Sequence, residues 1–209
     1  MENDFTYEDI IDILSSNGVD LTNVKIELTN VVRKHTNLNL IHPVALKSLV
    51  RKISKRAMLN KNTSTIQIFT DGSCLQNDSK HPGTFGLVVV LNNKIVFEYS
   101  DYNEVTTNNE MELSAVIIAS QIGQYLTKFA IKTLIHSDSQ YSVNTLFGTW
   151  SGETNKYLQE LFETLKVDKE MVNCEWIKAH DGNILNEYCD KLCALEYNKV
   201  EGYYVTRKN

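Results

Sequence analysis

At residue 65 the apolar residues of this chain change their period, so one fold must join a helical segment to a sheet. Upstream, Leu46, Leu49, Val50, Ile53 and Ala57 share one face of a 100° wheel, opposite Lys47, Arg51, Lys52 and Lys55. His42-Pro43 opens that helix, proline being tolerated in a first turn. Downstream, TIQIFT (65–70) alternates as a strand does, and Phe85 to Leu91 is an almost unbroken apolar strand. Asn92-Asn93 then turns the chain into a third strand, Lys94–Tyr102. Helical patterns over Asn108–Tyr125, Ser139–Leu146, Lys156–Leu165 and Leu185–Tyr197 interleave with strands Lys132–His136 and Val172–Ile177. The order βββαβααβα predicts an α/β fold, a five-stranded mixed sheet with helices on both faces.

Earlier, Thr6 to Asp9 reads as a helix start, with Ile10, Ile11, Ile13 and Leu14 following until Asn17-Gly18 stops it. A second helix carries Leu28, Val31 and Val32. Residues 1–60 are therefore expected to form a small all-α N-terminal domain, 61–64 a polar linker, and 65–209 the sheet-containing domain.

The formal charge of −5 hides a segregation. Residues 28–70 hold eight Lys/Arg and no acid, whereas residues 63–209 hold 12 Lys/Arg against 19 Asp/Glu. Cys74, Cys174, Cys189 and Cys193 have no CxxC spacing and few histidines near them, which fits buried reduced thiols better than zinc. No apolar run approaches the ~18 residues of a membrane span, and the acidic start MENDFTYED lacks a signal region. A cytoplasmic protein without a membrane role is the expectation.

Four acids then stand out by their local phrases: Asp71 in TDGS, Glu112 in TTNNEMEL, Asp138 in SDSQY and Asp190 in HDGNILNEYCD. Each has an ordinary alternative. Asp-Gly at 71–72 makes hairpin turns, Asp138 can cap a helix, and Asp190 can be a solvated charge. Glu110 completes a capping box with Thr107, leaving Glu112 two positions on, flanked by Met111 and Leu113 and turned inward. If the four converge, like charges about 4 Å apart repel by roughly 4 kcal/mol at an effective dielectric near 20. Cations or protons must then neutralise them, and hard oxygen ligands select Mg²⁺ or Mn²⁺. Two such ions about 4 Å apart suit phosphodiester hydrolysis. His180, in the loop after Trp176-Ile177, is more often structural than catalytic when alone, but beside such a site it can shuttle a proton.

Together IFTDGSCLQN, TTNNEMEL, SDSQY and WIKAHDGNILNEYCD resemble the ribonuclease H type 1 family in identity, order and approximate spacing, over about residues 65–197. The resemblance implies the RNase H-like three-layer fold. It implies Asp71, Glu112, Asp138 and Asp190 as ligands of two Mg²⁺ ions, with Mn²⁺ able to substitute, and His180 as the loop histidine aiding turnover. Ser73, Cys74, Asn108, Asn109 and Gln140 would line the minor groove of an RNA–DNA hybrid, and Thr107 would meet a DNA-strand phosphate. The implied activity is endonucleolytic cleavage of the RNA strand, leaving 5′-phosphate and 3′-hydroxyl ends. A strand-transferase of integrase type and a non-catalytic hybrid-binding subunit are the alternatives. Where many bacterial relatives carry a basic, tryptophan-rich protrusion, this chain has the short acidic stretch LFGTWSGETNKYLQELFETLKVDKEMVN. The exposed face Lys47, Arg51, Lys52 and Lys55 is a candidate phosphate grip, with a protein partner for residues 1–60 as the other possibility.

Overall fold

A computed structural model describes residues 40–59, 65–75, 81–150, 154–179 and 181–207. The helices expected before Leu40, the linker 61–64 and His180 lie outside the described residues. Strands β1 (Thr65–Cys74), β2 (His81–Leu91), β3 (Lys94–Thr106), β4 (Lys132–Ser137) and β5 (Val172–Trp176) form one sheet in the order β3-β2-β1-β4-β5. The first three run antiparallel as a meander, and β4 and β5 join parallel to β1. Asn92 and Asn93 both take positive φ, the conformation a two-residue hairpin demands, and asparagine tolerates it.

Helices α2 (Asn108–Leu126), α3 (Gln140–Leu146) and α4 (Lys156–Thr164) pack together, with α2 against the sheet. Helix α5 (Ile184–Arg207) covers the other face: Phe69, Val88 and Val90 form a cluster with its Cys189 and Leu192. Because strand side chains alternate, Gly72, against α2, and Asp71, paired with Gly86 under α5, belong to opposite faces. Both faces being covered explains why β2 is apolar from Phe85 onward rather than alternating.

Two strands are longer than their sequence pattern suggests. Strand β2 begins at His81 instead of Phe85 and β3 runs to Thr106 instead of Tyr102. Pro82 and the glycines read as loop, but Pro82 falls at a register shift, where a missing N–H is tolerated. Gly83 and Gly86 occur where a Cβ would crowd Thr106 and the Cys189 carbonyl.

Helix α1 (Pro43–Leu59) belongs to the same compact unit as the sheet, Leu40–Asn209, although the sequence pattern grouped it with an N-terminal domain ending at residue 60. Leu46, Val50, Ile53 and Ala57 are buried, and the helix packs on α2. Ile41 N–H donates to Gln121 Oε1, and Gln121 Nε2 donates to the Ile41 carbonyl, each at 3.0 Å. Helix α2 is buried at every position from Met111 to Gly123, as expected of a helix enclosed on all sides. Glu112 is the one carboxylate in that stretch.

Candidate active site

Strand β1 does not end at Asp71. It continues to Cys74, with Asp71 opposite Gly86 and Gly72 opposite Phe85, so TDGS is strand rather than hairpin turn. Asp71 is thereby held at a fixed register, and its Oδ1 accepts the Gly72 N–H at 2.8 Å. Helix α2 starts beside it. A Cβ on Gly72 would fall onto the backbone of Met111 and Glu112, so only glycine lets the first turn of α2 lie against β1.

That turn is built as the sequence indicated. Thr107 is the N-cap, its hydroxyl accepting from the Glu110 N–H, while Glu110 Oε2 accepts the Thr107 N–H at 2.9 Å. Glu110 Oε1 also accepts from the Tyr157 hydroxyl at 3.0 Å, tying the cap to α4. With Glu110 so occupied, Glu112 turns inward.

Asp138 follows β4, but Ser139 caps α3, its hydroxyl accepting from Ser142 N–H at 3.1 Å. The Asp138 carboxylate is free of that duty. Its Oδ2 accepts from Asn186 Nδ2 at 2.9 Å, and its backbone carbonyl accepts from Trp176 Nε1 at 3.0 Å. Asn186 was not anticipated. The available signal was its position four residues before Asp190, on the same side of one helix.

Oxygens of Asp71, Glu112 and Asp138 lie within 4.8 Å of one another. Asp71 and Glu112 are only 8% and 7% exposed. Burial, then the charges of Asp138 and Asp190, push Asp71 up to about 7, with the Gly72 N–H opposing. Burial, then Asp71 and Asp138, hold Glu112 well above the usual carboxylate range. Glu112 Oε2 and Asp138 Oδ1 are buried with no hydrogen-bond partner among the described residues. Buried acceptors left unpaired are costly, and all-oxygen donors are what a hard divalent cation takes. These residues fit a hard divalent cation.

Asp190 is exposed on α5 and is not among the tight trio, though its charge reaches Asp71. Cys193 Sγ donates to the Asp71 carbonyl at 3.6 Å and Cys189 Sγ to the Phe69 carbonyl at 3.2 Å, so these thiols brace β1 from below. Burial holds both well above the usual thiol range. Ser73 and Cys74 end β1 half-buried, and the Cys74 N–H donates to Asn108 Oδ1 at 3.2 Å. Asn109 and Gln140 are exposed at the starts of α2 and α3.

A five-stranded mixed sheet, with carboxylates gathered where β1 and β4 meet the N-terminal turns of α2, defines the class: an α/β fold whose acidic site could hold a divalent cation. The RNase H family model matches residues 63–197, and the chain belongs to the RNase H family, as an enzyme of the ribonuclease H kind. It is 38% identical over 140 residues to ribonuclease HI of Pasteurella multocida, covering 61% of this chain and 86% of that protein. It is 32% identical over 159 residues to ribonuclease H of Wigglesworthia glossinidia brevipalpis, covering 69% and 97%. Among solved structures, the N-terminal RNase H domain of a Mycobacterium tuberculosis protein superposes with a TM-score of 0.57 at 20% identity, covering 68% of this chain and 99% of that one. LC11-RNase H1 in complex with an RNA/DNA hybrid superposes with a TM-score of 0.51 at 23% identity, covering 65% and 98%. Among the described residues, no helix is long and apolar enough to cross a membrane.

Proposed function

We propose that this enzyme hydrolyses the RNA strand of RNA–DNA hybrids, leaving 5′-phosphate and 3′-hydroxyl ends. The observation that carries the reading is the carboxylate trio, two of whose oxygens are buried without a hydrogen-bond partner among the described residues, set beside a polar rim. A relative of the same fold in complex with an RNA/DNA hybrid supports the substrate class.

Asp71, Glu112 and Asp138, with Asp190 at the margin, would hold two Mg²⁺ ions. When bound, such ions supply an activated water and stabilisation of the leaving oxygen. The remaining work falls to the chain itself. Asn186 orients Asp138, and Gly72 lets Glu112 approach Asp71. Ser73, Cys74, Asn108, Asn109 and Gln140 offer amide, hydroxyl and backbone groups to a minor groove, where the ribose 2′-hydroxyl distinguishes RNA from DNA. Thr107 would meet a DNA-strand phosphate. His180 would carry a proton to or from the reacting oxygens.

The test is cleavage of an end-labelled hybrid, compared with RNA and DNA duplexes of the same sequence, in Mg²⁺, in Mn²⁺ and in EDTA. Metal-dependent cleavage of the hybrid's RNA strand alone is expected, with end analysis giving the 5′-phosphate. Joining of DNA strands would favour a strand-transferase, and hybrid binding without cleavage a non-catalytic subunit.

A further inference from the structure

Helix α1 carries a positive stripe for which the catalytic chemistry has no use. Lys47, Arg51 and Lys55 recur at every fourth residue, all are exposed, and Lys52 is exposed on the same helix. No acid occurs anywhere from residue 28 to 70, while the chain as a whole is acidic. Like charges spaced four apart destabilise a helix, so this one is held from its other side. That side is the buried row Leu46, Val50, Ile53 and Ala57, with the paired Ile41 and Gln121 hydrogen bonds fixing the chain just before it. An ordinary solvated face mixes both signs of charge. This one does not. Its eight-residue rise of about 12 Å matches three to four phosphates of one strand at ~3.4 Å each.

The position of the stripe separates it from the carboxylates. Gln121 follows Glu112 by nine residues, which at 1.5 Å and 100° per residue places it about 13.5 Å further along α2 and on the opposite side. Arg56 Nη1 donates to the Val96 carbonyl at 3.3 Å, near the start of β3, whereas the far end of that strand, Thr106, adjoins the Thr107 cap. Helix α1 thus lies across α2 from the trio. We propose that α1 is a second nucleic-acid surface, binding the phosphodiester backbone of a duplex through Lys47, Arg51 and Lys55 independently of the carboxylate centre. Only its use, in holding the enzyme on long substrates, rests on the proposed hybrid hydrolysis.

The test compares the full chain with K47Q/R51Q/K55Q, glutamine having nearly the helix propensity of the residues replaced. Anisotropy of a labelled DNA duplex several helical turns long, in EDTA, reads phosphate contacts without any cleavage. Three contacts steepen the dependence of log K on log salt by about 2.7, so between about 50 and 200 mM salt the unsubstituted chain should lose about 40-fold more affinity than the variant. A matched K128Q/K132Q/K156Q control, which removes equal charge elsewhere, should keep the full slope. On a hybrid of one helical turn, the α1 variant should keep its kcat, because every carboxylate remains. Equal salt slopes for the chain and the α1 variant would overturn the proposal and point to a protein partner. A lowered kcat on the short hybrid would overturn the separateness of the two surfaces. Failure of the unsubstituted chain to cleave the hybrid would count against the proposed function alone, since binding of a DNA duplex does not depend on it.

Discussion

Gly72 and Glu112 are in backbone contact: the position of an absent Cβ on the glycine is already occupied by the peptide joining Met111 to Glu112. The obstruction is main chain, which cannot swing aside as a side chain can. Gly72→Ala should therefore push the first turn of α2 away from β1. Overpacking of this kind costs about 1–3 kcal/mol, and misplacing a ligand by about 1 Å costs on the order of 10²-fold in rate. Thermal unfolding and hybrid cleavage should both report the loss. A variant with normal melting and normal turnover would show that the contact is not needed.

Stability in EDTA should fall as pH rises from about 4 to about 7. Asp71 has its ordinary value near 3.8 when unfolded and about 7 when folded, so across that window the folded state binds the extra proton. Its contribution is fully present below the unfolded value and lost as pH passes the folded one. Glu112 is shifted in the same direction. Mg²⁺ should restore most of the loss at high pH by replacing the proton. Asp71→Asn should flatten the profile and lower cleavage by several orders of magnitude. Melting temperatures across pH, with and without Mg²⁺, check the sign, and a rise toward neutral pH in EDTA would contradict it.

Asn186→Ala removes the side-chain donor to Asp138 Oδ2. Groups that orient metal ligands are typically worth 10–100-fold in metal affinity or activity. The variant should need more Mg²⁺ for half-maximal cleavage, with its fold intact by circular dichroism. An unaltered Mg²⁺ titration would reduce Asn186 to a packing role.

His180→Ala should be milder than loss of a trio carboxylate, because general acid–base help is typically worth about 10²–10⁴-fold and every cation ligand remains. The pH–rate profile should also lose one limb. If the variant is as inactive as Asp71→Asn, the histidine is a ligand or a structural element. If its rate is unchanged, it is a bystander.

The parts of the fold legible in the sequence were those with a strong local period. Strand β1, helix α2 and the Asn92-Asn93 turn announce themselves through alternation, capping and turn chemistry. The lower reach of β2 did not, because Pro82 and Gly83 carry a loop signature that only pairing with β3 overrides. Nor did the docking of α1, which depends on Gln121 meeting a backbone segment 80 residues away. In the site, the trio could be read from its phrases, although only Asp138 sits at an element boundary, Asp71 lying inside β1 and Glu112 inside α2. Asn186 could not, because its partner Asp138 is 48 residues distant. Asp190 shared the strongest phrase, yet it stands at the margin of the trio, where α5 presents it to solvent.

Trp176 gives the site an optical reporter. Its indole nitrogen is bonded to the backbone of Asp138 while the residue is 45% exposed, so the ring rests at the rim of the trio and in contact with water. The chain has two tryptophans, and the other, Trp150, is itself 52% exposed. In a Trp150→Phe background, a cation drawing on the Asp138 carboxylate should alter the emission of a single fluorophore. Ion arrival could then be followed in real time, without substrate, and at cation concentrations too low to sustain turnover.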